Sequence, residues 1–138
     1  MTKGKLRDEG FEFGARWPGN WRENDVRAPF SKQFPDVAGV YAILNDDEVV
    51  YVGKAARQSL KRRLRKYVNS KPSGTGGTAK RVQGKVDKAL ATGKEVSVYF
   101  ETLDMDDVAR RETQLIRDWQ PRWNVQGIRD PSNDEDAE

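Results

Sequence analysis

The chain has 138 residues with no cysteine or histidine, and 25 Lys and Arg against 22 Asp and Glu leave a formal charge of only +3. That composition excludes zinc fingers, disulfide scaffolds and thiolate or imidazole catalysis, and it restricts any metal site to oxygen ligands, hence to a Mg²⁺- or Mn²⁺-like ion. The length fits one domain, and with 36% hydrophobic and 34% charged residues its core must be small.

In chain order, residues 1–36 show weak periodicity, interrupted by Gly14, Pro18-Gly19, Pro29 and Pro35, and read as an irregular N-terminal arm. Its aromatics (Phe11, Phe13, Trp17, Trp21, Phe30 and Phe34) are expected to plaster the arm onto the core, in preference to stacking on bases. The basic start (Lys3, Lys5, Arg7) is not followed by a hydrophobic segment, and no apolar run approaches about 18 residues, so a soluble, cytoplasmic protein without membrane contact is expected. Gly39 to Asn45 and Glu48 to Gly53 are β-rich runs around a polar turn and form a hairpin. Ser59 can cap a helix from Leu60 to about Val68, and residues 69–77 form a basic, glycine-rich loop. A second helix runs from Thr78 to Ala91 and ends at Gly93. Glu95 to Glu101 alternates as a third strand, with Val96, Val98 and Phe100 on one face. A third helix starts near Asp106-Asp107, acids that suit a helix N-terminus, and stops before Pro121.

Charge is unevenly distributed. The last ten residues, 129–138, carry five acids and one arginine and read as a solvated, disordered tail, so the body of the chain holds a net +7. Between Lys54 and Lys85 there are eleven basic residues (Lys54, Arg57, Lys61, Arg62, Arg63, Arg65, Lys66, Lys71, Lys80, Arg81 and Lys85) and no acid. A solvated helix face usually mixes signs, so an unmixed run of this length is the footprint expected for nucleic-acid phosphates.

Two side-chain arrangements carry chemistry. On the third helix, with about 100° per residue, Glu112 falls amid Val108, Ala109, Leu115, Ile116 and Trp119, opposite Arg110, Gln114, Arg117 and Asp118. A carboxylate on an apolar face must be paired, protonated or bound to a cation; an arginine of the basic segment and a metal ion are both open to it. On the first helix, Arg63 and Tyr67 are four residues apart and lie side by side. With Tyr41, Tyr51 and Lys54 from the hairpin they could form one patch of phenols, cations and a carboxylate. Such a patch suits phosphodiester hydrolysis.

The ordered set Gly39-Val40-Tyr41, Tyr51-Val52-Gly53-Lys54, Arg63 with Tyr67, Glu112 and Asn124 resembles the motifs of the GIY-YIG nuclease family over about residues 37–126. The ending, Glu112 to Asn124, looks most like the excision-repair branch of that family. The resemblance implies an α/β (α+β) domain over residues 37–128, with a small three-stranded antiparallel sheet flanked by helices, that cleaves DNA with one Mg²⁺ or Mn²⁺. It implies Glu112 as the sole protein ligand of the metal, Tyr51 as general base, and Tyr41 as the group orienting water or phosphate. Arg63 would hold the scissile phosphate, Tyr67 would support Tyr51 or the phosphate, Asn124 would brace the site, and Lys54 would keep the Tyr51 phenol acidic. Arg63 is preferred to Arg62 and Arg57 because it alone has Tyr67 at i+4.

For Tyr41 and Tyr51 to share a sheet face the paired residue numbers must have an even sum, as with 41 opposite 51; a three-residue loop at Asn45-Asp46-Asp47, or one register along, is therefore expected. A two-residue turn without a compensating bulge would separate the tyrosines. A second class of function, a non-catalytic DNA-binding or regulatory protein retaining the fold, is disfavoured because no catalytic position is lost. DNA is the expected partner, with a homodimer or a recruiting protein also open; one active site per chain cuts one strand, so a double-strand break would need a dimer or two sequential visits.

Overall fold

The computed structural model of the chain describes residues 1–19, 27–68 and 77–124. The expectations for Trp21, Lys71, most of the 69–77 loop and the acidic tail fall outside them. Four strands, β1 (Glu12–Arg16), β2 (Gly39–Asn45), β3 (Glu48–Ala55) and β4 (Val96–Thr102), form one antiparallel sheet in the order β1-β4-β2-β3. Around it lie α1 (Arg27–Ser31), α2 (Leu60–Tyr67), α3 (Gly77–Ala91) and α4 (Met105–Trp119), with two short 3₁₀ turns at Lys3–Lys5 and Arg7–Glu9.

The sheet has four strands where three were expected, because the supposedly irregular arm supplies β1. The alternation that betrays a strand is broken there: pairing with β4 shifts register between Phe13 and Ala15, so consecutive residues Gly14 and Ala15 are both buried. The arm's aromatics do pack on the body, and on both sides of the sheet. Trp17, Phe30 and Phe34 join Tyr41, Ile43, Tyr51, Val98 and Phe100 with Leu60, Leu64 and Tyr67 of α2 and Val82 and Val86 of α3. Phe11 and Leu6 join Val40, Ala42, Leu44 and Val52 with Val108, Leu115 and Ile116 of α4. Phe13 alone of the described arm aromatics is largely exposed, edge-on to Tyr99.

The hairpin corrects the expected loop and keeps the expected parity. Asn45 pairs with Glu48, so the turn has two residues, Asp46 and Asp47. Asp46 tolerates its φ of 53°, and its carboxylate accepts the Glu95 amide at 2.9 Å, which fixes the tight turn against the start of β4. Beyond it, Leu44 faces Val49 but Ile43 faces Tyr51, leaving Val50 as an inserted residue. That bulge restores the even sum: Tyr41 lies opposite Gly53, and Tyr51 sits diagonally from it on the same face.

The helices begin and end where local chemistry directs. The Ser59 hydroxyl accepts the Arg62 amide at 3.2 Å to start α2. Asp106 and Asp107 occupy the first turn of α4, and Gln120, at φ 44°, ends it and turns the chain back towards the outer edge of β3. Among the described residues no helix is long and apolar enough to cross a membrane.

Candidate active site

Tyr41 and Tyr51 project from the sheet face that α2 covers, and Tyr67 reaches down from α2 to meet them. The hydroxyls of Tyr41 and Tyr67 share a hydrogen bond of 2.8 Å, and the Tyr41 ring lies 6.2 Å from Tyr51 and 6.0 Å from Tyr67. This packing explains the two motif glycines. A Cβ on Gly53 would collide with the Tyr41 ring, and one on Gly39 would strike the Glu101 carbonyl and the Leu60 side chain. Arg63, one turn before Tyr67, carries its guanidinium 5.6 Å from the Tyr67 ring centre. Its Nε is buried without a hydrogen-bond partner among the described residues, while Arg57 and Arg62 are exposed. Behind Tyr67, Trp17 packs edge-on at 6.0 Å.

Glu112 approaches from α4 on the other side of the sheet. Lys54, paired with Val40, points to that same side, and its ammonium lies 3.8 Å from the Glu112 carboxylate. Its ion-pair partner is thus a lysine, where the ion-pair alternative named an arginine of the basic segment. Burial raises the carboxyl pKa of Glu112, with Lys54 and then Arg63 opposing. Burial likewise raises the Tyr51 phenol well above its ordinary value; Tyr67 adds to this, Arg63 opposes it and the Glu112 charge adds again. Tyr41 is raised too, by burial and then by its two phenolic neighbours. The cation that favours an ionised Tyr51 is therefore Arg63, and Lys54 acts on Glu112, contrary to the expectation that Lys54 acidifies Tyr51. Residues 51 and 54 are an odd number apart in a regular strand and face opposite ways.

Asn124 braces the strand that carries Tyr51. Its side-chain oxygen accepts the Val52 amide and its NH₂ donates to the Val52 carbonyl, both at 2.8 Å, while the Trp123 amide donates to the Val50 carbonyl at 2.7 Å. The outer edge of β3 is thereby satisfied on both sides of Tyr51. Replacing Asn124 by Ala leaves two buried backbone groups without partners and should lower stability by about 2–4 kcal/mol, read by urea denaturation. A loss below about 0.5 kcal/mol, the range of an ordinary surface change, would refute the brace.

The model of the UvrC-like GIY-YIG domain family matches residues 37–125. The chain belongs to this family. The GIY-YIG domain is similar in structure to the N-terminal endonuclease domain of UvrC from Thermotoga maritima bound to magnesium as its catalytic divalent cation. That likeness has 22% identity and a TM-score of 0.50, covering 75% of this chain and all of the other. It also resembles a point mutant of bacteriophage T4 EndoII, with 23% identity and a TM-score of 0.53 over 66% of this chain and 77% of the other. No curated protein matches it. The fold is that of the GIY-YIG endonucleases.

The basic residues of this GIY-YIG domain do not all face solvent. Arg57, Arg62, Arg65, Lys66 and Lys80 are exposed and Lys61 and Lys85 are half-buried. Arg81 turns inwards, its Nη1 donating to the Trp123 carbonyl at 2.5 Å. Sequence reasoning also passed over Gln83, almost fully buried, whose amide donates to the Tyr67 carbonyl at 2.8 Å. Gln83 sits beside Val82 and Val86 on the apolar stripe of α3, so the helical projection that singled out Glu112 would have found it. Arg111, held by Glu101 at 2.8 Å and by the Glu9 carbonyl at 2.8 Å, ties α4 to β4 and the N-terminal turns, and carried no comparable signal.

Proposed function

We propose that this protein is a divalent-metal-dependent DNA endonuclease that hydrolyses phosphodiester bonds with a tyrosine general base and a single metal held by Glu112. The observation that carries the proposal is the cluster of Tyr41, Tyr51, Tyr67 and Arg63 on one face of the hairpin, with Glu112 beside Lys54 on the other side of β3 and within electrostatic reach of Arg63 and Tyr51. The donor set fits a hard ion that keeps most of its water: Glu112 is one-fifth exposed, and among the described residues no cluster of three acids encloses it. When bound, Mg²⁺ or Mn²⁺ would polarise a phosphate oxygen and neutralise developing charge.

The remaining steps belong to side chains of this chain. Arg63, whose buried Nε has no partner among the described residues, is suited to hold a phosphate oxygen against the tyrosines. Tyr51 takes the proton of the attacking water. Tyr41, fixed through its hydroxyl to Tyr67, orients that water or the phosphate. Asn124 holds the Tyr51 strand in place. Arg57, Lys61, Arg62, Arg65, Lys66, Lys80 and Lys85, with Lys71 beyond the described residues, supply sequence-independent attraction for the DNA backbone.

The pH profile tests the base directly. A phenol whose pKa is raised is mostly protonated at neutral pH, so the active phenolate fraction grows as pH rises. Plasmid nicking with Mg²⁺ should therefore increase by about tenfold per unit between roughly pH 7 and 9, and vanish with EDTA. Tyr51→Phe should be nearly inactive, with no such rise. Binding that weakens steeply with salt, without cleavage under Mg²⁺ or Mn²⁺, would instead identify a non-catalytic DNA-binding protein.

A further inference from the structure

We propose that Arg81 is a positioning residue for Tyr51, acting through the Trp123-Asn124 brace; the assignment rests on the nuclease reading above. The connection is short and continuous. The Arg81 guanidinium donates to the Trp123 carbonyl at 2.5 Å. The Trp123 amide holds the Val50 carbonyl at 2.7 Å, and the Asn124 side chain holds both backbone groups of Val52 at 2.8 Å. The residues before and after Tyr51 are thus fixed by one dipeptide, and that dipeptide is fixed by Arg81. Two residues along α3, Gln83 secures the Tyr67 carbonyl in the same way. Helix α3 therefore anchors both strand and helix segments that present the site's tyrosines.

The acid-free run to which Arg81 belongs suggests a phosphate contact, but its half-buried side chain is committed to a carbonyl. A charged donor on a neutral carbonyl makes a strong, directional bond, and small displacements of a catalytic group lower rates steeply.

The test uses the full chain as Arg81→Ala and Arg81→Lys, with plasmid-derived duplex DNA and Mg²⁺, and follows hydrogen exchange of the Val52 amide in parallel. Arg81→Ala should lower kcat by roughly tenfold or more with KM and its salt dependence unchanged, and should speed Val52 exchange. Arg81→Lys should restore part of both. A raised KM with a salt slope reduced by about one, unchanged kcat and unchanged Val52 exchange would make Arg81 a phosphate contact and overturn the proposal. Should the wild type cleave no DNA under Mg²⁺ or Mn²⁺, the nuclease reading fails by itself. Val52 exchange then still decides: faster in Arg81→Ala supports the anchor, unchanged refutes it.

Discussion

Glu112→Gln should abolish DNA cleavage, by at least about 100-fold, without lowering Tm at neutral pH. The activity loss follows from removing the carboxylate proposed as the sole protein ligand of the metal. The stability follows from linkage. Burial raises the folded-state pKa of Glu112 above its unfolded value, so the native state binds the extra proton between those two pKa values and stability falls as pH rises through that window. At neutral pH the ionised group is therefore a net cost, which Gln relieves. Lys54 loses its partner but is about half exposed and can be solvated. Plasmid cleavage with Mg²⁺, thermal melts at pH 7 and again below the carboxyl pKa where the difference should disappear, and Mg²⁺ titration by calorimetry check the activity, stability and metal-binding parts in turn. A clear fall in Tm with retained Mg²⁺ binding would make Glu112 a structural ion-pair partner of Lys54.

Gly53→Ala should destabilise the fold by about 1–3 kcal/mol and reduce cleavage by about 10–100-fold. Gly53 lies directly opposite Tyr41, whose ring occupies the space a Cβ would need. Tyr41 is fully buried and hydrogen-bonded to Tyr67, and Tyr67 is packed against Trp17, so the ring cannot yield without disturbing the site. Chemical denaturation and single-turnover cleavage measure the two effects. A stable variant with normal activity would mean that Tyr41 tolerates displacement and does not set the geometry around Tyr51.

How far the sequence reveals this molecule depends on whether a residue's local pattern matches its tertiary role. Glu112 on an apolar helix face, the Ser59 cap and the alternating β4 run could all be placed because local spacing and burial agree. The hairpin was legible in parity and not in detail. A three-residue loop and a two-residue turn with a bulge give the same even register, and Val49 and Val50, both apolar and β-branched, leave nothing to mark which is inserted. β1 was hidden by the same device at Gly14. The mistaken role of Lys54 has another origin: adjacency to Gly53 suggested proximity to Tyr51, whereas period-two geometry turns it to the opposite side. Arg81 had no visible signal because its partner is a backbone carbonyl 42 residues away.

The family match opens at residue 37, yet β4 runs between β1 and β2, with its far edge covered by Glu12–Arg16. The matched sequence and the folded sheet consequently have different bounds. A fragment trimmed to the module would bare the ladder groups of β4, a ready template for intermolecular pairing, and would withdraw Trp17 from behind Tyr67. Residues 12–17, outside the sequence match, thus close and back the sheet that presents Tyr41 and Tyr51, and the site depends on them for its support.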